Sequence, residues 1–184
     1  MKRLFVAVPI SEEVRGKIKQ ALAILSKTNA DLKLVSLFNL HFTLKFLGEV
    51  DEEKIPELEE KLAEVARRTG RFGISLKGVG VFPSLDEIKV VWIGTEGSSL
   101  VLLMKYVGEE LGYIRKNEYE EEVAHLTIAR VRTVRNKKEL QEFVKGFKNK
   151  EFGAMAVEKI ILFESELTRA GSVYNVVREF GLTG

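Results

Sequence analysis

The two histidines of this 184-residue chain sit in matching settings, His41-Phe42-Thr43-Leu44 and His125-Leu126-Thr127-Ile128. Threonine fills only 8 of 184 positions, so its recurrence two places after both histidines is a signal. Alternation with period 2 is the strand pattern. On a strand, imidazole and hydroxyl project from one face, and the Phe42/Leu44 or Leu126/Ile128 pair projects from the other into a core. Each stretch then offers a titratable group beside a hydroxyl donor. One copy alone reads more readily as strand filler, since Thr favours strands and His is often half-buried. The second copy argues for chemistry.

In-line displacement at phosphorus needs a base on the attacking oxygen and an acid on the departing one, on opposite sides of the phosphate. Two imidazoles facing each other across a cleft meet that demand. With an ordinary pKa near 6.5, one can be neutral and the other protonated near neutral pH. Thr43 and Thr127 can donate to non-bridging oxygens, and a nearby cation would stabilise the charge there. Lys45, at +4 from His41, has the strand parity of Thr43. Arg130, at +5 from His125, has the wrong parity unless the strand ends or bulges, but its planar guanidinium suits a phosphate. The plainer reading of both cations is a solvated strand end. A catalytic metal would need carboxylate ligands beside the two histidines. The acidic candidate Glu121, at −4 from His125, falls on a different element. There is no Gly-x-Ser-x-Gly elbow, phosphate loop or dinucleotide fingerprint, and Gly78-Val79-Gly80 is too short to count as one.

The elements that must carry these residues read as follows. Residues 3–9 form a strand, and Ser11 caps a helix to about Lys27, with Val14, Ile18, Leu22 and Leu25 on one face. Residues 32–35 are a short extended piece, and 41–47 are the first motif strand, closed by Gly48. A helix covers 51–68, its start displaced toward Lys54 by Pro56. Strands at 72–82 and 88–93 are joined by a Pro83-Ser84-Leu85-Asp86 turn. Ser98 caps a helix from 99 to 111, strand 122–129 holds the second motif, and Asn136 caps a helix to about 148. Residues 152–163 read as one long strand and 173–180 as another. The order of helix, motif strand, helix and Phe-Gly strand occurs twice. The histidines are 84 residues apart and the pairs Phe72-Gly73 and Phe152-Gly153 are 80 apart, which suggests a duplicated unit. We expect one bilobal domain over 1–184, with residues 1–96 contributing the first unit and 97–184 the second.

Apolar residues make up 45% and charged residues 30%, ordinary for a globular chain able to bury a core. The net charge of +2, with charges interspersed, is only weak support for an anionic partner. Cysteine is absent, which excludes disulfides and thiolate metal sites. The apolar run Leu4–Ile10 is too short for a secretion signal or a membrane span. The expected location is the cytoplasm, with no membrane partner. Abundant Lys and Glu without Cys fit a thermophile.

These residues resemble the 2H phosphoesterase superfamily, named for paired His-x-Thr/Ser-x motifs. More narrowly, the chain resembles the RNA 2′,3′-cyclic phosphodiesterases, also called 2′-5′ RNA ligases. The likeness spans nearly the whole chain. It runs through Arg3-Leu4-Phe5-Val6-Ala7-Val8, the first motif continued by Lys45-Phe46-Leu47-Gly48, and Gly78-Val79-Gly80-Val81-Phe82-Pro83. It continues through the second motif with Ala129-Arg130, then Leu162-Phe163-Glu164-Ser165, Gly171 and Tyr174. The resemblance implies an α+β, bilobal, pseudo-twofold duplicated fold. Each lobe would be an antiparallel sheet with helices on its outer face, and the active-site cleft would lie between the lobes. It implies hydrolysis of an RNA 2′,3′-cyclic phosphate end to a 2′-phosphate, without metal or cofactor, and reversible 2′-5′ RNA ligation. Transfer RNA fragments are among the substrates it suggests. By that analogy His41 is the proton donor, His125 the proton acceptor, and Thr43, Thr127 and Arg130, with Lys45 as a weaker candidate, hold the phosphate. The alternative is a module that binds RNA ends without significant catalysis. It would use Trp92, Phe82 and Tyr113 for base stacking, although core packing is the plainer reading of each.

Overall fold

The computed structural model describes residues 1–115, 123–133, 135–169 and 171–184. Strand β1 (Lys2–Pro9) leads through Ser11, whose hydroxyl accepts from the Val14 amide at 3.3 Å, into helix α1 (Glu12–Ser26). Glu12 and Glu13 lie in the first turn of α1, where carboxylates suit the helix dipole, and Val14, Ile18, Ala21, Leu22 and Leu25 form its buried stripe. Strand β2 (Leu32–Leu34) and a 3₁₀ turn over Leu37–Asn39 precede β3 (His41–Val50). Helix α2 (Ile55–Arg68) has Pro56 in its first turn, as the sequence suggested. Strands β4 (Phe72–Pro83) and β5 (Ile88–Glu96) follow, then α3 (Ser99–Glu110), β6 (His125–Val131), α4 (Lys137–Gly146), β7 (Glu151–Val157), β8 (Lys159–Thr168) and β9 (Gly171–Gly181). No helix of the described residues is long and apolar enough to cross a membrane.

Two antiparallel sheets result. The first has the order β3-β1-β8-β9, the second β2-β6-β5-β4-β7. Helix α2 lies on β8 and β9, α1 on β7, α4 on β4, and α3 touches both β3 and β4. The apolar stripes of the helices meet Leu4, Val6, Val8, Phe42 and Leu44 of the first sheet and Val91, Ile93, Leu126 and Ile128 of the second. Each motif strand lies next to a strand that crosses its lobe, β1 beside β3 and β5 beside β6.

Several expectations need correction. The long strand expected over 152–163 breaks at Glu158, with β7 in the second sheet and β8 in the first. The lobes therefore exchange strands. The first sheet takes β8 and β9 from the end of the chain, and the second takes β2, β4 and β5 from the first half, so residues 1–96 and 97–184 are not the two lobes. The Phe-Gly pairs are not symmetry mates either, because β4 and β7 lie side by side in one sheet, with Phe72 opposite Val157. Gly48 does not close β3. It adopts a positive φ of 72° inside the strand, which continues to Val50. Ser98 makes no side-chain cap because its own backbone is helical rather than extended. Asn136 also gives no cap; it sits in the left-handed region and its amide donates to the Thr28 and Asn29 carbonyls. The expected start of the second motif strand at Glu122 lies outside the described residues.

Candidate active site

The two motif strands, β3 and β6, contact each other directly. Each carries its histidine and threonine on the face away from its helices. On β3, Phe42 and Leu44 are buried while His41 and Thr43 are partly exposed; on β6, Leu126 and Ile128 are buried and His125 and Thr127 partly exposed. The period-2 reading of both motifs matches this placement.

Both strands then bulge at the same point. Across β1 and β3, Ala7 pairs with Thr43 and Val6 with Lys45, so Leu44 is the extra residue. Across β5 and β6, Trp92 pairs with Thr127 and Val91 with Ala129, so Ile128 is the extra residue. An extra residue shifts the alternation by one. Beyond the bulge, position +4 falls on the core face and position +5 on the histidine face. Lys45 accordingly sits opposite Val6 and is 4% exposed, on the side away from His41 and Thr43. Its expected place beside Thr43 is thus overturned. Burial, and then the nearby Arg115 guanidinium, lowers its pKa. Arg130 sits opposite Val90, on the face of Thr127 and His125, and is exposed. Phe46 holds the matching place on β3 and is 58% exposed.

The two imidazoles are anchored alike. His41 Nδ1 lies 2.7 Å from the Asn39 carbonyl oxygen, and His125 Nδ1 lies 3.1 Å from that of Val123. A carbonyl accepts only, so in each ring Nδ1 carries a proton and donates it. The other nitrogen, Nε2, is then the one whose proton can come and go. His41 Nε2 lies 3.1 Å from Thr43 Oγ1. With a neutral ring the threonine hydroxyl donates to Nε2; once Nε2 is protonated it donates to that oxygen, and the hydroxyl hydrogen turns to another acceptor. Asn39 is itself held, since its amide donates to the Ser172 carbonyl on β9 at 2.9 Å. Sequence reasoning missed Asn39 and Val123 because each acts through its backbone, which leaves no side-chain signal.

The walls differ. Around His41 stand Phe5 at 4.9 Å between ring centroids, Tyr174 edge-on at 5.3 Å and Phe163 at 6.3 Å. Beside His125, Phe82 makes a T-shaped contact at 5.0 Å and Trp92 lies at 6.2 Å. The Trp92 ring lies flat on β4 only because residue 80 is glycine: a Cβ there would stand 2.2 Å from its Cζ2. Tyr113, the third aromatic candidate, follows α3, where burial, and then the Glu57 carboxylate of α2, raises its phenol pKa. Glu121 lies outside the described residues, and among those described no three His, Asp or Glu side chains gather as a metal ligand set.

Desolvation in the aromatic box pushes the His41 pKa from about 6.5 down to about 4, against the opposing pull of the Asn39 carbonyl. His41 is therefore neutral near pH 7 in the ligand-free protein. Folding holds this pKa below its unfolded value, so the associated stability is whole above about pH 6.5 and is lost as the pH falls through about 4. With two histidines, proton NMR resolves the titrations directly. The His41 ring is expected to show a midpoint near 4 that rises when inorganic phosphate is added. A midpoint near 6.5 without phosphate would mean that the box does not exclude water.

Comparison with known proteins agrees with the fold and the family resemblance. The LigT-like phosphoesterase family matches residues 8–92 and 98–174. An RNA 2′,3′-cyclic phosphodiesterase of Archaeoglobus fulgidus is 41% identical, over 97% of this chain and 99% of that protein. One of Methanocaldococcus jannaschii is 36% identical, over 97% and 99%. A crystal structure of a Thermus thermophilus protein superposes with a TM-score of 0.80 at 28% identity, covering 99% of this chain and 98% of that one.

Proposed function

This chain belongs to the LigT-like phosphoesterase family, and on that premise we propose that it hydrolyses RNA 2′,3′-cyclic phosphate ends to 2′-phosphomonoesters. The observation that carries the reading is the pair of contacting strands that present His-x-Thr on equivalent faces, each imidazole held through Nδ1 by a carbonyl two residues back. Such a pair can serve both sides of one phosphate. His125 takes the proton of the attacking water, which forms the new P–O bond. His41 gives its Nε2 proton to the departing 3′-oxygen as the P–O3′ bond breaks. Thr43, Thr127 and Arg130 hold the non-bridging oxygens. No step requires a metal. With the 5′-hydroxyl of a second RNA end in place of water, the same groups join RNA through a 2′-5′ linkage, and cyclic-phosphate transfer RNA fragments are suitable substrates. Cytoplasmic location belongs to the same proposal.

The neutral state of His41 favours one competing reading, a module that binds RNA ends without turning them over. A bound phosphate answers this objection. A negative charge about 4 Å from the ring is worth about 4 kcal/mol at an effective dielectric of 20, which is about three pKa units. That is enough to protonate His41 near neutrality once substrate is bound.

The deciding experiment is phosphorus NMR of an oligonucleotide bearing a 2′,3′-cyclic phosphate, incubated with the protein in EDTA. Accumulation of a 2′-phosphate supports the proposal. A 3′-phosphate reverses which ring oxygen leaves, activity lost to EDTA refutes metal independence, and an unchanged substrate leaves the binding module.

A further inference from the structure

We propose that Lys33 forms a subsite for the RNA phosphodiester one nucleotide before the reacting end, so that it favours oligonucleotides over mononucleotides; this rests on the RNA-end reading above. Strand β2 pairs with β6 so that Lys33 stands directly opposite Arg130. Residues directly opposite on neighbouring strands project from the same face. The same row continues through Val90 on β5 to Phe82 on β4, and the edge-on contact of Phe82 with His125 identifies the face as that of the candidate site.

Like charges directly opposite each other destabilise a sheet. The fold avoids this elsewhere by giving strand lysines acidic neighbours, as in Lys77–Glu96, Lys159–Glu179 and Lys2–Glu164. At Lys33 it sets an arginine instead. Both cations are exposed, and neither forms an ion pair among the described residues. An anion between or beside them relieves the repulsion. Arg130 shares a strand with His125 and can bend back toward a phosphate at the histidines. Lys33 is one strand spacing further out, about 4.8 Å, on the side away from Trp92. A mononucleotide has no second phosphate to offer there; a polynucleotide does.

The test compares a 2′,3′-cyclic mononucleotide with a cyclic-phosphate-ended pentanucleotide. Lys33→Ala is expected to raise KM for the pentanucleotide by roughly three- to tenfold and to leave its kcat, and both constants for the mononucleotide, unchanged. The slope of log KM against log salt for the pentanucleotide should become shallower by about 0.7, the value for one contact on a single strand. Lys33→Arg should restore both. Equal losses on the two substrates, or no change on either, would overturn the subsite. Binding of a 3′-phosphate-ended pentanucleotide, read by fluorescence of the single Trp92, requires no turnover. If wild type binds it with the steeper salt slope yet cleaves neither substrate, the hydrolase reading fails and the subsite stands. If wild type and Lys33→Ala bind alike, the subsite fails whatever the activity.

Discussion

His41→Ala and His125→Ala are each expected to lower kcat on a 2′,3′-cyclic phosphate by about 10²–10⁴-fold, the usual worth of one positioned proton-transfer group. The double variant should lose little more than the worse single one, because acid and base act on the same transition state and their effects do not add. Both rings lie on the strand face turned away from the helix-facing core, so a folded protein should survive both changes. Removing His41 opens space beside Phe5 and Tyr174 and is expected to cost more thermal stability than removing His125. A diester with an aryl leaving group separates the two roles. Such a group departs without a proton, so it should restore much of the rate to the variant lacking the acid and little to the one lacking the base. Rescue of His41→Ala supports His41 as donor, and rescue of His125→Ala alone reverses the assignment. Full activity in either single variant would falsify the two-histidine mechanism.

What the sequence could reveal followed from local physics. Ser11 with Glu12 and Glu13 announced α1, Pro56 marked the first turn of α2, and the alternation at both histidines gave the correct face for four side chains. Features set by a partner strand were hidden. The breaks in alternation after Thr43 and Thr127 are pairing events. Nothing in Thr43-Leu44-Lys45 says that Ala7 and Val6 will skip Leu44. The corner at Glu158 was invisible for a related reason, since strand-forming residues stand on both sides of it while the two pieces pair with different sheets. The aromatic box drew Phe5 from the first strand of the chain and Phe163 and Tyr174 from its last two. The family resemblance had singled out all three, but only the sheet order β3-β1-β8-β9 explains why they meet at His41 and lower its pKa.

The bulges yield a sharp contrast between the two cations proposed from sequence. Arg130→Ala is expected to lower kcat/KM by about 10²–10³-fold, as when a preorganised donor to developing phosphoryl charge is removed. Arg130→Lys should recover only part of it, because an ammonium cannot make the paired, planar contact of a guanidinium. Lys45→Met should leave turnover within a few-fold of wild type and show its effect in stability, because its side chain lies with Val6 on the buried side of β3. A strict count along the strand predicts the reverse, with Lys45 beside Thr43 and Arg130 turned away. The two variants thus test the strand register through catalysis. Phe46 completes the argument, because it occupies on β3 the place that Arg130 holds on β6. Two lobes with the same bulge present a cation on one side and an exposed ring on the other, and this difference gives a pseudo-symmetric pair of motifs a direction in which to seat an asymmetric substrate. Phe46→Ala should accordingly weaken substrate binding through KM, with kcat less affected than by Arg130→Ala. Equal damage from Lys45→Met and Arg130→Ala would show that the bulges do not set the chemistry.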